Sequence, residues 1–114
     1  MKEVIESESY FYIIMEHIAG GDLQKYINKK ILTKAQVALV MYQLLKAISY
    51  LSSHEIVHRD IKPHNILVDV DPSFPFSNDI KIKLTDFGLA KTLKPGTSLN
   101  DDCGTPYYIA PEII

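Results

Sequence analysis

This chain has very little cysteine and a small net charge. Cys103 is the single cysteine, and the formal net charge is −2 at pH 7. One cysteine excludes an internal disulfide framework and is typical of a reducing compartment, so we expect a cytoplasmic location, with a nuclear one also open. So small a charge gives no electrostatic reason to expect binding to nucleic acid or to an acidic membrane, and we predict neither as a partner.

Long hydrophobic runs are also absent. The longest apolar run near the amino terminus covers residues 10–15, far fewer than the ~20 residues that a membrane-spanning helix needs. The amino terminus is acidic and does not resemble a secretory signal peptide. With 114 residues, of which 46% are hydrophobic and 23% charged, the chain has the composition of at most one globular domain.

The amino-terminal third has the pattern of a strand followed by a short helix. Residues 10–15 are continuously apolar and rich in aromatic and β-branched side chains, which predicts a buried strand. Gly20 and Gly21 interrupt this run. Asp22 follows them and is suited to cap a short helix over residues 23–28.

A longer helix is predicted next. Thr33 and Gln36 have the spacing of a capping box, in which each residue satisfies a backbone N–H of the other. The helix is expected to run to about Ser52. Its apolar residues recur at helical spacing and predict one core-facing stripe, formed by Val37, Val40, Met41, Leu44, Leu45, Ile48 and Leu51.

Two short strands are predicted in the second half. Residues 66–68 are apolar, and residues 80–84 alternate between apolar and polar side chains. Residues 71–79 contain two prolines and form a long loop between the strands. Its phenylalanines either fold onto the body of the domain or form a docking site. The polar residues 92–102 predict a surface segment.

Three motifs in fixed order point to chemistry. The first is His58-Arg59-Asp60-Ile61-Lys62-Pro63-His64-Asn65, followed by Asp86-Phe87-Gly88 and then by Ala110-Pro111-Glu112. Taken singly, each has an ordinary explanation: a surface loop with a local ion pair, a turn, or a capping residue. Their combination in this order is the pattern of a catalytic loop, a metal-binding loop and the end of an activation segment.

The residue types suit phosphoryl transfer, which needs positioning and charge stabilisation more than covalent help from the protein. Asp60 can accept the proton of an attacking hydroxyl. Lys62, two residues further on, can stabilise the charge of the transferred phosphoryl group. Asn65 and Asp86 offer the oxygen ligands that Mg²⁺ prefers, and a hairpin of the two predicted strands would bring both to one rim. Gly88 allows a sharp turn after the metal ligand.

On these motifs the chain resembles the eukaryotic-type serine/threonine protein kinase family, along essentially its whole length. The pattern is closest to calcium/calmodulin-type and autophagy-initiating-type kinases. The resemblance implies an α+β, protein-kinase-like fold that is partial. Residues 1–15 would end the small lobe, residues 16–22 would form the hinge, and residues 23–114 would supply the large-lobe portion with the catalytic loop and activation segment. It also implies ATP and Mg²⁺ as cofactors and a protein substrate, with a regulatory protein as a further candidate partner.

The resemblance also implies a nucleotide site. Met15 would be the gatekeeper that limits the depth of the pocket, and backbone groups of Glu16 and Ile18 would bond adenine. Asp22 would contact ribose or a basic side chain of the substrate. Leu67 would pack beneath the adenine ring.

Further roles follow from the same resemblance. Thr105 would bond Asp60 and Lys62 through its hydroxyl, as is typical of serine/threonine kinases. His58 and Phe87 would belong to a stacked apolar column that links the two lobes.

Two departures from the family pattern suggest hypotheses. Asp101 stands where many relatives carry a phosphorylated threonine, so it would pair with Arg59 in place of the phosphate. Two solvated loop acids, Asp101 and Asp102, are the alternative. Thr97 and Ser98 are candidate modification sites. His64 stands where relatives that prefer basic substrates carry glutamate, which argues against a preference for arginine-rich substrates.

The family's glycine-rich strands, phosphate-gripping strand lysine and helix glutamate have no match in the chain. We therefore expect the 114-residue polypeptide to be inactive alone and, with apolar faces uncovered, of low stability. The alternative function is a catalytically dead kinase remnant that acts as a binding module. A small-molecule kinase of related fold is a third possibility, against which residues 104–112 argue.

Overall fold

The computed structural model describes residues 2–70, 80–94, 96, 98–99 and 103–111. The predicted loop at residues 71–79 and the proposed regulatory Asp101 lie outside the described residues. The mixture of helices and strands confirms the predicted α+β class. In chain order the elements are β1 (Glu3–Glu6), β2 (Phe11–Ile14), α1 (Leu23–Lys29), α2 (Lys34–Ser53), β3 (Ile56–Val57), β4 (Ile66–Asp69), β5 (Lys81–Leu84) and β6 (Lys91–Thr92), with 3₁₀ turns at Pro63–Asn65 and Pro106–Tyr108.

The first hairpin corrects one prediction. β1 and β2 pair antiparallel, with Glu3 opposite Ile14 and Glu6 opposite Phe11. The predicted strand is therefore present, but it is exposed and not buried: Phe11 is 70% and Ile13 58% solvent-accessible. The physical reason is that β1 is the one strand paired with β2 in the described part of the chain. A two-stranded sheet leaves both of its faces open unless another layer covers them.

Both helices begin where their caps predict. Asp22 Oδ1 accepts a 2.8 Å hydrogen bond from the backbone N–H of Lys25 at the start of α1. Thr33 and Gln36 form the predicted capping box at the start of α2, with N–H···O distances of 3.2 and 3.0 Å. α1 ends at Lys29, one residue beyond the predicted end, and α2 ends at Ser53.

The apolar stripe of α2 is only partly in the core. Val40 and Leu44 are buried, whereas Val37, Met41 and Leu45 are 45%, 48% and 60% exposed. The prediction that the whole stripe faces a core was wrong for these three residues. α2 packs against the short strands β5 and β3. Because these strands are short, they cover only the middle of the apolar face of α2 and leave its margins exposed.

The core lies between the helices and the β4–β5 hairpin. Val68 of β4 and Ile80, which precedes β5, are 0% and 1% exposed. The other buried apolar residues of this core in the described part of the chain are Leu23, Tyr26, Val40, Leu44 and Ile66. No described helix is long and apolar enough to cross a membrane.

The segment before α1 is held against β4 by two glycines. The carbonyl of Gly21 accepts a 2.8 Å hydrogen bond from the N–H of Val68. A Cβ atom at Gly20 would lie 2.0 Å from the carbonyl oxygen of Val68, so no larger residue fits there without a shift of the backbone. This close approach places residues 20–21 directly beside the strand that follows Asn65.

Candidate active site

The β4–β5 hairpin brings the two predicted metal ligands to one end of the sheet. β4 begins immediately after Asn65, and its first residue, Ile66, lies opposite Leu84 at the end of β5. The backbone N–H of Thr85 donates a 2.9 Å hydrogen bond to the carbonyl of Asn65. Asp86 follows directly, with φ at 61°, a conformation that turns the chain out of the strand. The backbones that carry Asn65 and Asp86 therefore meet at this rim, as predicted.

Asn65 also closes the catalytic loop on itself. Its side-chain nitrogen Nδ2 donates 2.9 Å hydrogen bonds to the carbonyl oxygen and to Oδ2 of Asp60. The side chain is buried, at 6% exposure. Since the amide nitrogen is committed to Asp60, the amide oxygen is the Asn65 atom suited to a cation.

Asp60, Lys62 and Thr105 form a triangle of charged and hydroxyl groups. Lys62 Nζ lies 2.8 Å from Asp60 Oδ2 and donates a 2.7 Å hydrogen bond to Thr105 Oγ1. The Thr105 hydroxyl donates in turn to Asp60 Oδ1, also at 2.7 Å. Both carboxylate oxygens of Asp60 are thus directed by named donors. The three residues stand in the contacts that the family resemblance implies.

These donors stabilise the charged form of Asp60. The pKa of its carboxyl is lowered below the ordinary value, first by the hydrogen bond from Lys62 and then by the one from Thr105, with Asn65 adding to the effect. Partial burial opposes the shift but does not overcome it. At neutral pH Asp60 is therefore an oriented carboxylate that can accept a hydrogen bond from a hydroxyl.

A cleft opens beside this triangle. It has a volume of about 560 Å³ and is lined by Lys62, His64, Asn65, Thr105, Tyr107 and Tyr108. Lys62 and Thr105 of the triangle lie in its wall, and both bond Asp60 behind them. His64, at the turn after Lys62, is exposed at this surface.

His58 joins the catalytic loop to the metal-binding loop. The ring is buried, at 2% exposure. Its Nδ1 accepts a 3.3 Å hydrogen bond from the N–H of Asp60, and its Nε2 lies 3.0 Å from the carbonyl of Thr85. Because a backbone N–H donates and a carbonyl accepts, these partners assign the tautomer with hydrogen on Nε2. The ring centroid of Phe87 lies 4.8 Å away, so the two predicted stacking partners are in contact.

Arg59 and Gly104 bring the activation segment against the catalytic loop. Arg59 has φ at 67°, and its Nε donates a 2.6 Å hydrogen bond to the carbonyl of Leu89. A Cβ atom at Gly104 would lie 2.9 Å from the Arg59 carbonyl, and Gly104 itself has φ at 119°. The proposed pairing of Arg59 with Asp101 stays a prediction, because Asp101 lies outside the described residues.

On the nucleotide side, Glu16 contacts a residue that the sequence analysis missed. Its Oε2 lies 2.6 Å from Lys83 Nζ, and this hydrogen bond is the main cause of a lowered pKa at Glu16 and a raised pKa at Lys83. Lys83 lies directly opposite Leu67 in the β4–β5 register. The alternation of residues 80–84 predicts that Lys83 lies on the polar face of its strand. Its partner Glu16 is 67 residues away, so no local pattern predicts the pair.

The other predicted nucleotide contacts flank the same strand. Asp22 forms an isolated antiparallel bridge with Leu67, while its carboxylate caps α1 and lies 3.1 Å from Lys25 Nζ. The backbone hydrogen bond from Lys25 lowers the pKa of Asp22. Met15 is 61% exposed, and the Ile18 carbonyl accepts a 3.4 Å hydrogen bond from Gly21. Asp22 and Leu67 are therefore adjacent, whereas no described contact joins Met15 to them.

The donor set at the rim fits Mg²⁺. It combines the amide oxygen of Asn65 with the carboxylate of Asp86, whose Oδ1 accepts a 3.3 Å hydrogen bond from Gly88. Both are hard oxygen ligands of the kind that Mg²⁺ shares with phosphates. Among the described residues, no group of three or more His, Cys, Asp or Glu side chains could hold a metal ion. An ion here would therefore complete its coordination with other oxygen ligands, such as water or phosphate oxygens.

Comparisons with known proteins agree with this arrangement. The family model described as "Protein kinase domain" matches residues 1–114. The liver/testis isoform of the human phosphorylase b kinase gamma catalytic chain is 39% identical over 110 residues, which is 96% of this chain and 25% of that protein. The same isoform from Rattus norvegicus is 38% identical, with the same coverage. A probable myosin light chain kinase of Dictyostelium discoideum is 37% identical over 115 residues, 100% of this chain and 32% of that protein. The chain thus spans about a quarter to a third of the length of these relatives.

Proposed function

The chain belongs to the eukaryotic-type serine/threonine protein kinase family, and from this premise we propose that its full-length gene product transfers the γ-phosphoryl group of ATP to serine or threonine hydroxyls of proteins. Residues 16–22 are assigned as the hinge, residues 1–15 as the end of the small lobe, and residues 23–114 as large-lobe structure. The proposed partners are ATP, a protein substrate and a regulatory protein, and the proposed location is cytoplasmic, with a nuclear one also open.

The observation that carries the proposal is the triangle of Asp60, Lys62 and Thr105. A substrate hydroxyl entering the cleft would meet a carboxylate whose two oxygens are already oriented. Such an oriented acceptor is what general-base catalysis requires. The Lys62 ammonium contacts the same carboxylate and would stabilise the negative charge that develops on the transferred phosphoryl group.

The proposed transfer makes one bond, breaks one bond and moves one proton. The substrate oxygen forms a bond to the γ-phosphorus, while the bond from that phosphorus to the β–γ bridging oxygen breaks and ADP leaves. The hydroxyl proton passes to a carboxylate oxygen of Asp60. Bound Mg²⁺ supplies charge neutralisation for the phosphates. Asn65 and Asp86 are the residues proposed to hold it, and His58 keeps their two loops together through Asp60 and Thr85.

Preference for serine and threonine is the finer part of the proposal. Thr105 supports it, because its hydroxyl links the carboxylate and the ammonium in the way implied by serine/threonine kinases. The names of the similar proteins, a phosphorylase b kinase chain and a probable myosin light chain kinase, also support it.

The test uses the full-length gene product with Mg²⁺, γ-labelled ATP and two peptide libraries. One library carries serine and threonine as its only hydroxyl residues, and the other carries tyrosine. We expect label in the first library, with a loss of at least about 100-fold in Asp60→Asn. Glu6→Gln, a neutralised carboxylate on β1, is the matched control and should keep full activity.

Each outcome decides between functions. Unchanged transfer in Asp60→Asn would refute the assigned base, and label confined to tyrosine would refute the specificity. Absence of transfer by the wild-type protein would favour a kinase-like binding module. The 114-residue chain, assayed in parallel with its Asp86→Ala variant, is expected to show no measurable turnover.

A further inference from the structure

One side chain of α2 makes contacts that neither the motifs nor the proposed mechanism use. Gln43 lies between the buried residues Val40 and Leu44. Its Nε2 donates hydrogen bonds to the carbonyl of Ile80 at 2.8 Å and to the carbonyl of Leu39 at 3.2 Å. Its Oε1 accepts a 3.1 Å hydrogen bond from the N–H of Ile82. The amide is thus engaged through both its nitrogen and its oxygen.

Two of these contacts take the place of the hydrogen bonds that a neighbouring strand would make. β5 pairs with β4 along one edge, where Lys81 lies opposite Asp69 and Lys83 opposite Leu67. The carbonyl of Ile80 and the N–H of Ile82 are the groups that a further strand would use on the other edge. The Gln43 amide bonds both of them. It donates to one and accepts from the other, as a peptide group of an adjacent strand would. Buried backbone groups need such partners.

The contact lies close to the metal-binding loop along the chain. Ile82 belongs to β5, which ends at Leu84. The next residue, Thr85, bonds the Asn65 carbonyl through its N–H and His58 through its carbonyl. Asp86 follows at once. A shift in the register of β5 would therefore move Asp86 relative to Asn65, because side chains alternate along a strand.

We propose that Gln43 is a positioning residue for the metal-binding loop: its amide fixes β5 against α2 and so holds Asp86 beside Asn65. The inference rests on the proposed function for its consequence in catalysis. The structural part, a link from α2 through β5 to the rim, concerns this chain's own residues and is testable without activity.

Two variants separate the contacts of Gln43. Gln43→Met keeps a side chain of similar length and removes both hydrogen-bonding ends. Gln43→Glu keeps an acceptor for Ile82 but places an anionic oxygen against the Ile80 carbonyl. The matched control is Gln24→Met, since Gln24 is also a helical glutamine, and its amide nitrogen donates a 3.0 Å hydrogen bond to a near neighbour, Asn28.

The first measurement is amide hydrogen exchange in the full-length gene product, reported as protection factors. We expect Gln43→Met to lower protection at Ile82 by about tenfold, the size expected for the loss of the two neutral hydrogen bonds to Ile80 and Ile82. Protection should also fall at Thr85 and at Gly88, whose N–H bonds Asp86. A change that stops at Ile82 would overturn the positioning role. An equal fall at Tyr26 in α1 would show a general loss of stability and would also overturn it.

Gln43→Glu gives a second and independent signature. A protonated carboxyl can donate to the Ile80 carbonyl and accept from Ile82, as the amide does. The variant should therefore regain protection at Thr85 and Gly88 as the pH falls from 7 towards 4.5. Gln43→Met should show no such recovery. Protection in Gln43→Glu that does not change with pH would contradict the inferred geometry.

The full-length gene product gives the functional measurement. Gln43→Met should raise the Mg²⁺ concentration for half-maximal rate by about tenfold, with the KM for a peptide substrate changed less than twofold. Gln24→Met should match the wild type in both. An unchanged Mg²⁺ requirement in Gln43→Met would overturn the positioning role. If the wild-type protein transfers no phosphate, the proposed function fails, and the exchange measurements still decide the role of Gln43.

Discussion

The hydroxyl of Thr105 donates a 2.7 Å hydrogen bond to Asp60 Oδ1, although 45 residues separate them in the chain. The same hydroxyl accepts a 2.7 Å hydrogen bond from Lys62. The segment that follows Asp86-Phe87-Gly88 is therefore joined to the catalytic loop by the hydroxyl of Thr105.

Loss of the Thr105 hydroxyl should lower turnover. Thr105→Val keeps the shape of the side chain and removes both hydrogen bonds, so Asp60 and Lys62 lose their common partner. We expect a fall in kcat of about tenfold in the full-length protein, since a hydrogen bond to a charged group contributes ~1.5–3 kcal/mol. Thr105→Ser keeps the hydroxyl and should stay within about threefold of wild type. Equal activities of the two variants would contradict the role given to the hydroxyl.

Asp60 should contribute to stability in a defined pH range. Because its pKa is lowered in the folded chain, its contacts stabilise the fold fully above the unfolded-state pKa of about 3.9. This contribution is lost as the pH falls through the still lower folded-state pKa. The melting temperatures of wild type and Asp60→Asn, followed by circular dichroism from pH 7 to pH 3, should therefore converge at the acid end. A constant difference across this range would show that the charge of Asp60 does not contribute.

Gly20 should be far less tolerant of substitution than Gly21. A Cβ at Gly20 would lie 2.0 Å from the Val68 carbonyl oxygen, whereas nothing lies within 4 Å of a Cβ at Gly21. We expect Gly20→Ala to lower the free energy of unfolding by ~3 kcal/mol or more, because the backbone must move. Gly21→Ala should cost ~1 kcal/mol, from its φ of 72° alone. Urea denaturation measures both, and equal costs would contradict the close approach.

Lys83 should affect nucleotide binding more than turnover. Its ion pair with Glu16 joins β5 to the proposed hinge opposite Leu67. Lys83→Met in the full-length protein should raise the KM for ATP about two- to threefold, the modest effect expected of an exposed pair, and leave kcat unchanged. The difference should disappear in 1 M salt, where the Debye length is only about 3 Å. Lys34→Met, a neutralised lysine at the exposed start of α2, is the control, and a persistent effect at high salt would exclude a charge-based cause.

The exposed hairpin should promote self-association of the chain. Phe11 and Ile13 of β2 are 70% and 58% exposed, and contiguous apolar surface of this kind favours association. Phe11→Lys should lower light scattering at a given protein concentration without lowering the melting temperature. Leu45→Lys, which changes an exposed apolar residue of α2 that is 60% accessible, tests whether the effect is specific to the hairpin. Unchanged scattering in Phe11→Lys would exclude β2 as the associating surface.

Much of the local structure could be predicted because its causes are local. The caps at Asp22 and Thr33 act over three residues, and the strands of the β4–β5 hairpin follow from an apolar run at residues 66–68 and an alternating run at residues 80–84. Burial was predicted less well. Residues 10–15 have the composition of a core strand, yet Phe11 is exposed, because burial depends on which other elements cover a strand.

The sequence by itself determined the family, the α+β class and the identity of the chemical groups, since motifs such as His58-Arg59-Asp60 and Asp86-Phe87-Gly88 are written in consecutive residues. Only the tertiary structure decided which groups touch. The contacts of Asp60 with Thr105, Glu16 with Lys83, and Gln43 with Ile80 and Ile82 join residues 45, 67, 37 and 39 positions apart. Residues this far apart in sequence come into contact because the elements that carry them pack around a shared core. The periodicity of the sequence indicates single elements and does not indicate these contacts.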